Sequence, residues 1–200
     1  FLVPVLAKQQ GVDLDEHGIS VCSVAGTNFA PYLILLGPEG LNMPVAALTD
    51  MDPRLPKEDG TEREPLGPKR AVYQMLVHLI DEATLETHDF DGLLAIAPEY
   101  GVLMNGHTLE VDLFKSGLQK AFAEAMDDLD CSGPARERMK GWAEDPDTLD
   151  VEMFLKDIEN VGKGRFAQRL ASIIVESDLT HCPPYIVDGV NYVSKKCKHS

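Results

Sequence analysis

Over the first 112 residues, short apolar runs alternate with longer segments of helical spacing; beyond that point the apolar runs stop and only the helical spacing continues. Ile19-Ser-Val-Cys-Ser-Val24, Pro44-Val-Ala-Ala-Leu48 and Gly92-Leu-Leu-Ala-Ile-Ala97 have the length and composition of strands. Residues 29–36 and 71–83 lie between them and read as helices, the second with Val72, Met75, Leu76, Leu79 and Ile80 on one face. Strand, helix, strand, helix, strand is the pattern of a parallel sheet with helices packed on its faces. Another helix is expected over 2–10, with Pro4 tolerable only in its first turn. Helical patterns follow at 113–129, 151–158 and 165–177, with breaks around Ser132-Gly-Pro134 and Asp145-Pro146. The chain therefore reads as an α/β core over 1–112 and a helical extension over 113–200 packed on it. The charged, proline-containing stretch from Pro53 to about Pro68 reads as a mobile or functional loop.

The second apolar run climbs to Asp50-Met-Asp52 and stops. In an open parallel sheet, ligands bind just beyond the carboxyl ends of the strands. Residues two apart on a strand point the same way, so Asp50 and Asp52 converge if the extended geometry persists through Met51. Two adjacent anions with no basic residue between them repel, and a hard divalent cation relieves that repulsion. The same residues also suit a plain turn, since Asp before Pro53 is a common turn starter. Thr108-Leu-Glu-Val-Asp-Leu113 repeats the spacing after an Asn105-Gly106 turn. Glu110 and Asp112 suit the same metal, or a strand edge, or an acid-rich helix start. Val161-Gly-Lys-Gly-Arg-Phe-Ala167 sets Lys163 between two glycines ahead of a helical pattern. That arrangement suits a phosphate, or simply a basic helix start, and it lacks the earlier glycine and the Ser or Thr of a Walker loop.

Charge and cysteine usage narrow the classes. A net charge of −15 repels a nucleic-acid backbone, so any nucleic-acid function must rest on local cations or bound metal. Cys22, Cys131, Cys182 and Cys197 form no Cys-x-x-Cys pair, which argues against a zinc ribbon or a disulfide scaffold and fits a reducing cytoplasm. No apolar run approaches the roughly 20 residues that span a bilayer. Phe1-Leu-Val-Pro-Val-Leu6 lacks the basic flank of a signal peptide, and a chain beginning at Phe reads as a fragment or a processed piece.

Taken in order, Phe1-Leu-Val-Pro-Val-Leu-Ala7, Val24-Ala-Gly-Thr-Asn28, Leu48-Thr-Asp-Met-Asp52, His107-Thr-Leu-Glu-Val-Asp-Leu113 and Gly162-Lys-Gly-Arg-Phe-Ala167 resemble the Toprim nuclease domain of the OLD (overcoming lysogenisation defect) endonuclease family. The resemblance implies an α/β Toprim core, a Rossmann-like parallel sheet with flanking helices, and a metal-dependent DNA endonuclease working by a two-metal mechanism. It implies Mg²⁺ or Mn²⁺ as cofactor, with Ca²⁺ able to occupy the site without supporting cleavage. Asp50 and Asp52 would be metal ligands essential to catalysis, Glu110 would join the same cluster, and Asp112 would be a further ligand. Lys163 would stabilise the transition-state phosphate, with Arg165 and Arg169 adding backbone contacts. DNA would be the substrate, an ABC-type ATPase domain would precede this one, and a homodimer is compatible with that arrangement. The family's Glu-Gly-x-x-Glu element would stand just before the first helix, so the first strand is expected upstream and the chain from Phe1 is expected to be a weak nuclease or inactive. Two other readings use the same residues. One is a non-catalytic Toprim-like module that binds DNA or a partner. The other is a haloacid dehalogenase-like phosphatase with an aspartate nucleophile, a pattern that Pro53 and the later acidic pair fit poorly.

Overall fold

The computed structural model describes residues 1–24, 26–51 and 66–197, without the side chains of Leu66 and Pro68. The elements in chain order are α1 (Leu2–Gln9), α2 (Ala30–Leu36), β1 (Ala47–Thr49), α3 (Leu66–Leu76), α4 (Glu82–Thr87), α5 (Phe90–Ile96), β2 (Val102–Met104), α6 (Leu109–Leu113), α7 (Gln119–Asp128), α8 (Gly133–Glu144), α9 (Val151–Val161), α10 (Lys163–Glu176) and α11 (Pro184–Cys197). They fall into two compact units, Phe1–Leu14 with Leu109–Pro183 and Asp15–Thr108 with Pro184–Ser200. Both units are discontinuous in sequence, whereas the expected division at 112/113 was a single cut. The first helix belongs with the helical residues, and the last helix belongs with the sheet.

Among the described residues, the sheet unit is built on one parallel pair, with Ala47 opposite Val102, Leu48 opposite Leu103 and Thr49 opposite Met104. Two backbone bonds frame the pair: Ala47 N–H donates to the Gly101 carbonyl at 2.8 Å, and Asn105 N–H donates to the Thr49 carbonyl at 3.1 Å. Leu33, Val72, Met75, Leu76, Leu93 and Val102 are among the residues of its core: α3 packs on β2, and α2 and α5 pack on α3. The helix α11 packs on both strands. Its Gly189 permits the approach, since a Cβ there would lie 2.7 Å from Leu48 Cδ2.

Two of the expected strands are absent from the sheet. Residues 19–24 form no strand, and Ser20, Val21, Cys22 and Ser23 are exposed, so pairing them would bury little apolar surface. Residues 92–97 lie in α5 and the 3₁₀ turn that follows it. The Asp89 side chain caps α5 by accepting the Gly92 N–H at 2.8 Å. A six-residue apolar run is too short for periodicity to tell strand from helix, and the cap decides it. The strand that does pair with β1 starts after Gly101, whose φ of +78° turns the chain into β2. The single helix expected over 71–83 is also two, because Asp81 caps α4 through the Thr84 N–H at 2.9 Å.

The helical unit packs around aromatic rings. Phe122 meets Phe114, Phe154 and Phe166 at centroid distances of 5.5, 5.6 and 5.1 Å, and Trp142 meets Phe154 at 6.1 Å. Stacked and edge-to-face aromatic pairs of this kind contribute about 0.5–1.5 kcal/mol each beyond the area they bury. The helix α1 lays Leu2 and Leu6 into this unit and packs on α10, with Pro4 in its first turn as expected. The helix expected over 113–129 is broken at Gly117, where φ is +113°. The break expected around Ser132-Gly-Pro134 is present, since α7 ends at Asp128 and α8 begins at Gly133, where Ser132 Oγ accepts the Ala135 N–H at 3.4 Å and proline is favoured at a helix start. Asp157, which is 3% exposed, ties α9 to α8 through a two-pronged bond with Arg138 at 2.7 and 2.9 Å.

Candidate active site

Asp50 is the first residue after β1, and Asn105 is the first after β2. The parallel register therefore brings them side by side at the carboxyl end of the pair, where open parallel sheets hold ligands. Asn105 is 5% exposed, and its amide is used in both directions. Its Oδ1 accepts the Met51 N–H at 2.7 Å, and its Nδ2 donates to Asp50 Oδ1 at 2.5 Å. The amide's orientation follows from the chemistry of its partners. A backbone N–H can only donate, so the amide oxygen must face Met51 and the NH₂ must face the carboxylate. Asp50 itself is exposed, so the result is a solvent-facing carboxylate held by a buried neutral donor. Asp52 lies outside the described residues, as do residues 53–65; the end of the stretch expected as a loop, from Leu66, is the start of α3.

Glu110 and Lys163 form a second pair, in the helical unit. Glu110 stands in the first turn of α6 and Lys163 is the first residue of α10, with Nζ 3.7 Å from Glu110 Oε1. Gly162, at φ +97°, ends α9 and opens α10 in one residue, which lets the two helices meet without a linker. The pair lies on the wall of a cleft of about 230 Å³ whose lining includes Leu2, Leu113, Phe166 and Leu170. The expected strand-like convergence of Glu110 and Asp112 is not the geometry found. Both lie on a helix, where residues two apart point about 200° away from each other. Of the neighbouring cations, Arg165 is exposed. Arg169 is bound to Asp128 at 2.6 Å, Glu176 at 3.3 Å and Glu124 at 3.9 Å, which ties α10 to α7.

Among the described residues, no three His, Cys, Asp or Glu side chains are grouped so as to hold a metal ion. The donors at Asp50 and Glu110 are carboxylate oxygens, the kind that hard divalent cations such as Mg²⁺ and Mn²⁺ take. They fit such an ion in kind. Asn105 was legible in the sequence only as part of a turn. The signal that would have singled it out is its place directly after the short apolar run Val102-Leu-Met104, the counterpart of Asp50 after Leu48-Thr49.

Residues 1–52 match the family model described as "Overcoming lysogenization defect protein-like, TOPRIM domain". The C-terminal region of the Burkholderia pseudomallei OLD protein superposes with a TM-score of 0.84 at 38% identity, covering 98% of this chain and 92% of that one. The C-terminal region of the Xanthomonas campestris pv. campestris OLD protein superposes with a TM-score of 0.80 at 35% identity, covering 100% of this chain and 90% of that one. No curated protein matches the sequence. The parallel pair, its flanking helices and these matches define a helix-rich α/β domain of the Toprim class. The chain belongs to the OLD family. Both solved structures are C-terminal regions of their OLD proteins. No helix among the described residues is long and apolar enough to cross a membrane.

Proposed function

We propose that this chain is a metal-dependent DNA endonuclease domain that hydrolyses phosphodiester bonds, acting in the cytoplasm. The observation that carries the proposal is Asp50, a solvent-facing carboxylate at the carboxyl end of a parallel pair in an OLD-family Toprim domain, held by the buried Asn105 amide. Asp50 and Asp52 are proposed to hold divalent metal, Mg²⁺ or Mn²⁺, for two-ion chemistry, and Glu110 and Asp112 are each proposed as further metal ligands. The chemistry supplied by the bound ions is Lewis acidity toward the phosphoryl oxygens and activation of water as the nucleophile.

The chain's own residues divide the remaining work. The carboxylates bring hard oxygen donors. Lys163 offers an ammonium on a half-exposed side chain, suited to the charge that builds on a phosphate as its ester bond breaks. Arg165, exposed in the same first turn of α10 but about 200° around the helix from Lys163, is proposed to contact a different part of the phosphate backbone. Contacts of this kind position a duplex without reading its sequence, so low sequence specificity follows. The overall charge of −15 makes DNA approach depend on these local cations and the bound ions. An ABC-type ATPase region and a second copy of the chain are the proposed partners in the intact protein.

Plasmid nicking in Mg²⁺ or Mn²⁺ tests the proposal. An Asp50→Ala, Asp52→Ala double variant that keeps its fold should lose cleavage. Cleavage at the unmodified rate by the folded variant would overturn it, and a chain that binds DNA but never cleaves would favour a non-catalytic Toprim module.

A further inference from the structure

We infer that Asn105 is a positioning residue that sets the Asp50 carboxylate for divalent-metal binding, an inference that rests on the reading of Asp50 as a metal ligand. Three features of the sheet unit carry it. Asn105 is fixed before its side chain does anything, because its own N–H donates to the Thr49 carbonyl at 3.1 Å and continues the ladder one step past β2. Its amide oxygen then accepts the Met51 N–H at 2.7 Å, which fixes the backbone on the far side of Asp50. With the oxygen so committed, the NH₂ has one direction to face, and it meets Asp50 Oδ1 at 2.5 Å. Asp50 is thus held from its preceding residue, its following residue and its own side chain by a single neighbour.

The residue type suits that task. A lysine or arginine in place of Asn105 would orient the carboxylate equally well but would neutralise it and repel an incoming cation. An aspartate or glutamate would compete for the ion. A neutral amide donor orients one oxygen and leaves the negative charge in place. Burial keeps water from competing for the amide, since Asn105 is 5% exposed while Asp50 faces solvent. Partners of this kind behind metal-binding carboxylates typically matter by 10–100-fold in metal affinity.

Calorimetric titration of the full chain with Mn²⁺ tests the inference, using Asn105→Ala, Asp50→Ala and the double variant. Each variant's fold is checked by circular dichroism and thermal melting. The expected result is Mn²⁺ binding weakened by about 10–100-fold in a folded Asn105→Ala, with no further loss when the same change is made in the Asp50→Ala background. Asn105→Ser replaces the alanine variant if that does not fold, because its hydroxyl keeps a polar atom near the Met51 amide but falls short of Asp50. If Asp50→Ala weakens binding while the Asn105 variants bind as the unmodified chain does, the positioning role is wrong and the metal reading stands. If the Asn105 change weakens binding equally with and without Asp50, the residue acts through the fold and the inference fails. If Asp50→Ala binds Mn²⁺ normally, the metal reading itself fails and takes the inference with it.

Discussion

The Lys163 ammonium lies 3.7 Å from the Glu110 carboxylate, joining the first residue of α10 to the first turn of α6. Lys163 is 57% exposed, and ion pairs in that setting contribute between nothing and about 1 kcal/mol to folding. The pair is therefore a weak structural device in a place where a lysine is chemically interesting. Removing its charge separates the two roles cleanly, because folding should hardly register the loss.

Lys163→Met should melt within a few degrees of the unmodified chain. If Lys163 acts on the scissile phosphate, turnover at saturating DNA falls by about 10²–10³-fold with DNA affinity nearly intact, the usual effect of removing one preorganised electrostatic donor. Weak binding, a reduced salt slope and normal turnover once saturated would assign it to anchoring instead.

Gly117 should not accept a side chain. Its φ of +113° is a conformation that residues with a Cβ rarely adopt, and a Cβ there would overlap the His181 ring. Gly117→Ala is expected to destabilise the helical unit by about 1–3 kcal/mol, read as a lower denaturant midpoint. His181 is exposed and can swing aside, so adding His181→Ala should recover only the smaller part. An alanine variant as stable as the unmodified chain would contradict this account of the break before α7.

Phe122 stands at the centre of the aromatic core, touching three other phenylalanine rings. Phe122→Ala should cost about 3–5 kcal/mol by loss of burial and creation of a cavity. A loss below about 1 kcal/mol in urea unfolding would show that the surrounding helices collapse onto the space.

Burial pushes the Cys182 thiol up to about 11. At pH 8 it is almost wholly protonated and a poor nucleophile, because the thiolate is the reactive form. Iodoacetamide should therefore leave Cys182 unmodified on the timescale on which exposed Cys22 reacts, with labelling of Cys182 rising steeply toward pH 11. Equal labelling of the two at pH 8, followed by peptide mass spectrometry, would contradict the burial of this site.

Much of the fold was legible where one principle dominated. The helices α1, α2, α9 and α10 follow from apolar spacing with clear stops, and β1 follows from an apolar run ending in acids. Legibility failed where two signals were equally short. Gly92-Leu-Leu-Ala-Ile-Ala97 carries no periodicity that separates strand from helix, and Asp89 decides it through one cap. The strand β2 is three residues long and depends on Gly101 and its pairing with β1, neither of which is visible without the fold. At the site, charge at a strand end makes Asp50 conspicuous in the sequence, whereas Asn105, a neutral amide beside glycine, reads as a turn. The pairing of Lys163 with Glu110 joins residues far apart in the chain, and no local pattern announces it.

The Asp50 carboxylate is the proposed seat of a divalent ion. Crystals of the chain soaked in Mn²⁺ should show an anomalous peak about 2.0–2.3 Å from an Asp50 oxygen, and the peak should disappear in Asp50→Ala. A chain that cleaves DNA in Mn²⁺, and whose soaked crystals place the ion elsewhere with Asp50 bare, would contradict it.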